Sequence, residues 1–498
     1  MSFDTYSFLF FFLPAVILVY FSIEAVGKLM FCNKSGGNAA SVNPLLPIQN
    51  MLLLVASLFF YAWGEPLKVL LLIAATMVAW CGGIMMDNLR KENNLMAMKI
   101  VLVATITLLL SSLGVFKYLG FLTENLNLIP SLHIPVVDIS LPIGISFYTF
   151  QILSYVIDLY RGNVAVQRNP FRLLLYVSLF PQLIAGPIVR YQTVESELTQ
   201  RRASLDDIQE GTFRFIRGLA KKILIADNVA RLSGSIYKVY GNSLTDVLTP
   251  DCAGTSALWL ASLAYTLQIY FDFSGYSDMA IGLGRIFGFH FLENFNFPYI
   301  SRSITEFWRR WHISLSGWFR DYVYIPLGGS RCSTSRRAVN IMAVWMLTGF
   351  WHGAAWNFML WGLYYGLILM AEKAVLDRMG KKTVTSLWGW AYAFIVVNLG
   401  WVLFHLTDFA MLKSALHDMF IYHPTDWLRL IAENSDTLLT LIYVPIGLLF
   451  CFPVFTFIVE RKTTTMLVVR TLAASLLLLL SIVYIVSSSF HPFIYFRF

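Results

Sequence analysis

Residues 338–371 read AVNIMAVWMLTGFWHGAAWNFMLWGLYYGLILMA and contain no Asp, Glu, Lys or Arg. A bilayer core about 30 Å thick needs roughly 20 apolar residues per helix. A run of this length holds two spans, placed at 338–352 and 355–371, and it decides the fold class: a helical membrane protein. Gly349, Gly353 and two alanines sit where the two spans meet, together with His352. Small residues there allow close helix packing or local unwinding.

The whole chain agrees with that stretch. Of its 498 residues 57% are hydrophobic and only 13% are charged, about half the charge of an ordinary globular domain, and the mean hydropathy is +0.64. The formal net charge of +8 fits basic cytoplasmic loops. No basic stripe interleaved with aromatics marks a nucleic-acid surface. Cys32, Cys81, Cys252, Cys332 and Cys451 are scattered, with no CxxC pair, so neither a disulfide framework nor a zinc site is expected. The first 21 residues have no Lys or Arg, the first being Lys28. They lack the basic n-region of a signal peptide and read as the first span.

Further spans are expected near 8–27, 46–62, 67–86, 100–117, 141–160, 259–289, 385–407, 437–459 and 466–488. A poorer one at 212–238 carries Asp227, Arg231 and Lys238. With the interfacial pieces this makes an all-α polytopic protein of about 11–13 membrane helices. It is read as one membrane domain over 1–498, with no internal repeat. Segment 302–337 holds seven basic against two acidic residues, whereas 408–436 holds five acidic against two basic, and 239–258 holds no Lys or Arg. The basic segments are assigned to the cytoplasm, which puts both termini outside it. Residues 171–187, FRLLLYVSLFPQLIAGP, lie between two basic flanks. Pro181, Gly186 and Pro187 suit a broken, re-entrant segment, which survives at membrane depth only when buried in protein or lining a cavity. A Pro-kinked span is the alternative.

Three polar features interrupt the apolar pattern. In 303–322, SITEFWRRWHISLSGWFRDY, Ser303 and Glu306 have capping-box spacing. Trp308, Trp311, Leu315, Trp318, Phe319 and Tyr322 recur at helical spacing, with Arg302, Glu306, Arg309 and Arg320 on the other side. An amphipathic helix lying at the cytoplasmic interface is expected, and His312 shares its apolar face. The bland reading of His312 is a packed residue of an interfacial anchor. His352 is an ionisable group at membrane depth, which marks a functional site by default; a cross-helix hydrogen bond is its bland reading. In 270–284, YFDFSGYSDMAIGLG, Asp272, Ser274, Tyr276, Ser277 and Asp278 either line a watery cavity, orient a histidine and bind an acceptor, or act as interhelical glue.

Two histidines suit acyl transfer to a hydroxyl. The hydroxyl must lose a proton as it attacks, imidazole titrates nearest neutrality, and burial keeps it neutral and ready to accept. GxSxG, Walker A and HExxH patterns are all missing from the sequence.

The run ITEFWRRWHISLSGWFRDYVYIPLGG (304–329), followed by FWHGAAWNF (350–358), resembles the membrane-bound O-acyltransferase family. SFYTFQILSYVIDLYRG (146–162), FPQLIAGPIVRY (180–191) and FDFSGYSDMAIGLGRIFGF (271–289) are similar to the same family. The resemblance covers about 100–370, leaving N-terminal helices over 1–99 and C-terminal ones over 385–488. Within the family it is to the alginate O-acetyltransferase-like branch of bacteria, which the ending HPFIYFRF also resembles. It implies that His352 is the catalytic histidine and His312 the second active-site position. It also implies a ring of helices around a tunnel joining a cytoplasmic donor to an external acceptor.

The expectation is therefore an enzyme of a bacterial inner membrane that passes an acyl group, acetyl first, to cell-surface polysaccharide. The donor would be acetyl-CoA or an acylated carrier protein docking at Arg309, Arg310 and Arg320. No bound cofactor or metal is expected, and separate exported proteins would complete the transfer. Asp272, Ser274, Tyr276, Asp278, Trp311 and Asn357 are tunnel or acceptor-side candidates. D-alanyl transfer to teichoic acid and peptidoglycan O-acetylation are the enzymatic alternatives. A transporter without covalent chemistry is the other class.

Overall fold

The computed structural model of the chain describes residues 1–31, 44–137, 139–245, 252–379, 387–433, 439–454, 463–487 and 493. Cys32, most of HPFIYFRF and the end of the expected 437–459 span lie outside the described residues. Among the described residues there is no strand, and helices carry the whole architecture. They fall into two compact units, Met1–Ile216 with Tyr276–Glu293, and Arg217–Gly275 with Asn294–Phe498.

The first unit contains α1 (Leu13–Phe31), α2 (Leu46–Ala62), α3 (Val69–Lys91), α4 (Leu95–Leu126) and α5 (Ile145–Arg161). Short pieces follow: α6 (Pro170–Ser178), α7 (Phe180–Leu183), α8 (Tyr191–Val194) and the start of α9 (Leu205–Ala220). Local chemistry sets their ends. Asn94 caps α4 through Ala97 N, and Asn169 caps α6, with Pro170 opening the helix. Gly144, before α5, has φ +73°, and a Cβ there would stand 2.7 Å from the Leu183 carbonyl oxygen, so only glycine fits.

Residues 171–187 are broken, as the prolines suggest. The nine-residue α6 stops at Leu179, whose ψ of 111° leaves the helical region, and the four-residue α7 follows. Neither piece alone is long enough to cross a bilayer. Residues 173–189 are buried without interruption. Polar groups in this stretch find partners inside the protein: Phe180 N donates to Ser57 Oγ at 3.0 Å, and Tyr176 Oη to the Val189 carbonyl at 2.9 Å.

The second unit holds a π-helical turn at Lys221–Ala226, then α10 (Asp227–Thr245) and most of α11 (Thr255–Ile286). The rest follow as α12 (Ile304–Arg310), α13 (Ile313–Phe319), α14 (Thr334–His352), α15 (Trp356–Met379), α16 (Leu387–His405), α17 (Phe409–Phe420) and α18 (Trp427–Glu433), with C-terminal helices Tyr443–Phe450 and Thr464–Ser487. Six helical stretches among the described residues are long and apolar enough to cross a membrane: Phe8–Gly27, Val69–Lys91, Leu95–Leu126, Trp356–Val375, Leu387–His405 and Thr464–Ser487. Their exposed side chains, such as Ile100, Leu108, Leu472 and Leu476, are the apolar surface that lipid covers. The chain is a polytopic helical membrane protein. The expected spans at 141–160 and 259–289 are helices too, but α5 and α11 are buried along nearly their whole length. Facing protein, they accommodate polar residues that a lipid-facing helix could not.

Candidate active site

The amphipathic segment 303–322 is two helices, not the single one its spacing suggests. Ser303 caps α12 through Glu306 N at 3.0 Å. The helix ends at Trp311 (φ −100°, ψ 130°), and His312 takes the left-handed conformation at φ 44°. A strap from residues 294–296 causes the break by taking hydrogen bonds that a continuous helix would use. Asn296 N donates to the Arg310 carbonyl and Ile313 N to the Asn294 carbonyl, each at 2.9 Å. Ser314 N, which would otherwise close onto Arg310, meets Asn294 Oδ1 at 3.3 Å.

His312 is the centre of this break, only 1% exposed. Its ring meets Phe273 edge to face at 4.7 Å between centroids and Trp351 at 6.2 Å. Nδ1 lies 3.0 Å from Asn294 Oδ1, and the Ser314 hydroxyl donates to the same oxygen at 2.9 Å. Nε2 is buried and has no hydrogen-bond partner among the described residues. Burial pushes the imidazole down to about 3, so the ring is neutral. A left-handed non-glycine residue costs about 1–2 kcal/mol, and an unmatched buried polar atom roughly 1–3 kcal/mol. Both costs fall on one residue, the pattern of strain held at a functional site.

His352 ends α14, and Gly353 leaves the helix in extended geometry. Glycine shapes the turn on both sides. A Cβ on Gly349 would stand 2.3 Å from the Phe358 carbonyl oxygen, and one on Gly362 2.5 Å from the Trp345 carbonyl oxygen. A Cβ on Gly353 would enter the Phe358 ring at 2.2 Å. These contacts let α14 and α15 touch backbone to backbone, the small-residue packing that membranes favour. The hairpin seats His352, 6% exposed, in an aromatic cage: Trp351 at 5.0 Å, Trp361 at 5.1 Å and Phe404 at 5.2 Å between centroids. Trp351 is thus the ring that neighbours both imidazoles.

Of the other sequence candidates, Trp311 is buried beside this cage, 4.8 Å from Trp401 and 5.6 Å from Phe307 between centroids. Asn357 donates to the Leu403 and Phe404 carbonyls at 3.3 and 3.1 Å, holding the end of α16 against the cage. Asp272 pairs with Lys222 at 3.0 Å, and Lys222 also with Asp227 at 2.5 Å. Ser274 is a buried hydroxyl on the same helix. Tyr276 and Asp278 belong to the first unit. There Tyr276 stacks on Phe3 at 4.6 Å, and Asp278 pairs with Arg214 at 3.0 Å. Arg309 is exposed, Arg310 pairs with Glu306 at 2.9 Å and Arg320 with Asp321 at 2.7 Å.

Asn294, Phe273, Trp351, Trp361 and Phe404 complete the site without having been singled out from the sequence. Asn294 stands between family-like motifs, and nothing in its local pattern points to a histidine on another element. Among the described residues no three His, Cys, Asp or Glu side chains gather as a metal site.

A sequence profile of the membrane-bound O-acyltransferase (MBOAT) family matches residues 164–416, a stretch that contains Asn294, His312 and His352. A protein of Azotobacter vinelandii named probable alginate O-acetylase AlgI is 43% identical over 386 residues, 76% of this chain and 74% of its own. The peptidoglycan O-acetyltransferase of Helicobacter pylori is 34% identical over 466 residues, 88% of this chain and 83% of its own. The teichoic acid D-alanyltransferase of Bacillus subtilis is 30% identical over 263 residues, 51% of this chain and 64% of its own.

Proposed function

Because the chain belongs to the membrane-bound O-acyltransferase family, we propose that it carries an acetyl group from a cytoplasmic thioester across the membrane to a hydroxyl acceptor, and so O-acetylates a cell-surface polysaccharide of the alginate type. The chain is an O-acyltransferase of the multi-pass membrane class. The similarity to alginate O-acetylases supports this acceptor. Peptidoglycan is the second reading, favoured by a relative that matches more of the chain.

The observation that carries the mechanism is the pair of buried imidazoles that both neighbour Trp351. His352 and His312 are its catalytic residues. The acceptor hydroxyl attacks the thioester carbon while His352 takes its proton as general base. The carbon–oxygen bond forms, the carbon–sulfur bond breaks, and the proton passes on to the departing thiolate. An apolar cage of indole and phenyl rings keeps water away from the thioester. The donor, acetyl-CoA or an acylated carrier protein, docks at the basic 302–337 segment, where Arg309 is exposed. That segment faces the bacterial cytoplasm, both termini lie outside, and the whole chain works as one membrane domain. Exported proteins that receive the acetyl group complete the transfer to polysaccharide.

The test is surface O-acetylation in cells whose only copy carries His352→Ala. Acetyl content of the exopolysaccharide should vanish at unchanged protein abundance. Acetylation at the wild-type level would remove His352 from the mechanism.

A further inference from the structure

The geometry points to Asn294 as a positioning residue that fixes His312 in the tautomer with hydrogen on Nδ1, leaving Nε2 as a lone pair that receives a hydrogen bond from a hydroxyl of the acyl acceptor. This rests on the acyltransferase reading above.

The tautomer follows from a donor that has no alternative. The backbone N–H of Ser314 can only donate, and it points at the Asn294 side chain at 3.3 Å; the atom it meets is therefore the amide oxygen. The Ser314 hydroxyl donates to that oxygen as well, at 2.9 Å. His312 Nδ1 lies 3.0 Å from the same oxygen. Two acceptors do not bond to each other, so Nδ1 carries the hydrogen. A neutral imidazole has one hydrogen, and Nε2 is left as an acceptor.

Backbone geometry holds this arrangement in place. The Asn294 carbonyl accepts from Ile313 N at 2.9 Å, so Asn294 holds three successive residues, His312, Ile313 and Ser314. The left-handed His312 that results turns the ring away from the helical direction and onto Phe273 and Trp351. Asn294 is 1% exposed, so water does not compete for its oxygen. The groups packed on the ring are Asn294, Ser314, Phe273 and Trp351, none of which titrates. Asp272, next to Phe273, is paired with Lys222, and His352 is the titratable group that shares the Trp351 ring, 5.0 Å from it between centroids.

The consequence is a division of labour. A nitrogen without hydrogen cannot polarise the acyl carbonyl by donating to it. His312 serves the acceptor side of the reaction, receiving a hydrogen bond from an acceptor hydroxyl while His352 takes the proton from the attacking one. Carbonyl polarisation falls to some other donor.

Histidine-selective ¹⁵N NMR on the full-length protein in detergent tests this, with His312 signals assigned by their loss in His312→Gln. In the wild type at neutral pH, Nδ1 should be the hydrogen-bearing nitrogen and Nε2 the bare one; the reverse overturns the proposal. In Asn294→Ala the two tautomers should mix, and kcat for transfer from acetyl-CoA should fall on the order of 10²-fold with KM for acetyl-CoA little changed. The double variant Asn294→Ala with His312→Gln should be no worse than His312→Gln alone; additive losses would overturn the link. Asn294→Asp should keep the tautomer and move the acid limb of the pH–rate profile upward, because a carboxylate stabilises imidazolium. An unmoved limb with full activity in Asn294→Ala overturns the role. Should Asn294→Ala not accumulate, the wild-type spectrum and Asn294→Asp decide. An active His352→Ala would refute the proposed function and leave the tautomer result standing.

Discussion

Replacing Gly349 by Ala perturbs the hairpin that seats His352 without touching either imidazole. The new Cβ would stand 2.3 Å from the Phe358 carbonyl oxygen, 3.2 Å from its carbon and 3.3 Å from the Gly362 Cα. Such contacts essentially never fall below 3.0 Å, so α14 and α15 must separate by about 0.7 Å at this level. The atoms met are backbone, which has no rotamer to yield. Alanine returns about 0.5–1 kcal/mol of helix propensity, while overpacking costs about 1–3 kcal/mol. The net effect is a loss of roughly 1–2 kcal/mol. His352, one turn further on, moves by a comparable distance, and a misplacement near 1 Å lowers turnover on the order of 10²-fold. The assay is thermal unfolding of the purified protein beside acetyl transfer. Gly114→Ala is the control: nothing lies within 4 Å of its Cβ, so the same substitution should stabilise by about 0.5–1 kcal/mol. Gly349→Ala with wild-type melting and turnover would refute the close α14–α15 contact.

Three further outcomes follow from the buried polar groups. Lys222→Met leaves Asp272 and Asp227 without their shared cation and should cost about 3–5 kcal/mol; Lys222→Met with Asp272→Leu should recover part of it, measured by detergent melting. Asn357→Leu removes two hydrogen bonds to the end of α16 and should cost roughly 1–3 kcal/mol, read the same way. For pH, His312 binds its proton near 6.5 when unfolded but only near 3 when folded. Between those values the unfolded state holds more protons, so stability is full above 6.5 and falls as pH drops through this window. At pH 5 the loss should be about 2 kcal/mol relative to pH 7. His312→Gln, which cannot titrate, should lack that component in a pH series of melts.

The sequence carried the helices well where lipid reads it. Val69–Lys91 and Thr464–Ser487 announce themselves because a lipid-facing helix needs an unbroken apolar run. α11 was harder, since protein packs around it and Asp272 and Asp278 are neutralised by cations on other helices. His352 stood out as an ionisable residue in a 34-residue uncharged stretch. The break at His312 was illegible for a physical reason. Trp308, Leu315 and Phe319 keep helical spacing straight through it, and the competing donors and acceptors come from Asn294 and Asn296, on a separate strap. Local periodicity does not report a hydrogen bond made elsewhere in the chain. The same holds for Trp361 and Phe404, which look like ordinary apolar residues until the hairpin folds them over His352.

Proton transfer by the caged His352 imidazole is the step on which the proposed acyl transfer depends. Its most direct measurement is transfer of labelled acetyl from acetyl-CoA to an alginate-type oligosaccharide by membranes that carry the full-length protein, supplied with the exported proteins of the same cells, wild type against His352→Ala at matched protein abundance. The wild type should turn over, and the variant should lose at least about 10²-fold. Equal rates in the two proteins would contradict it.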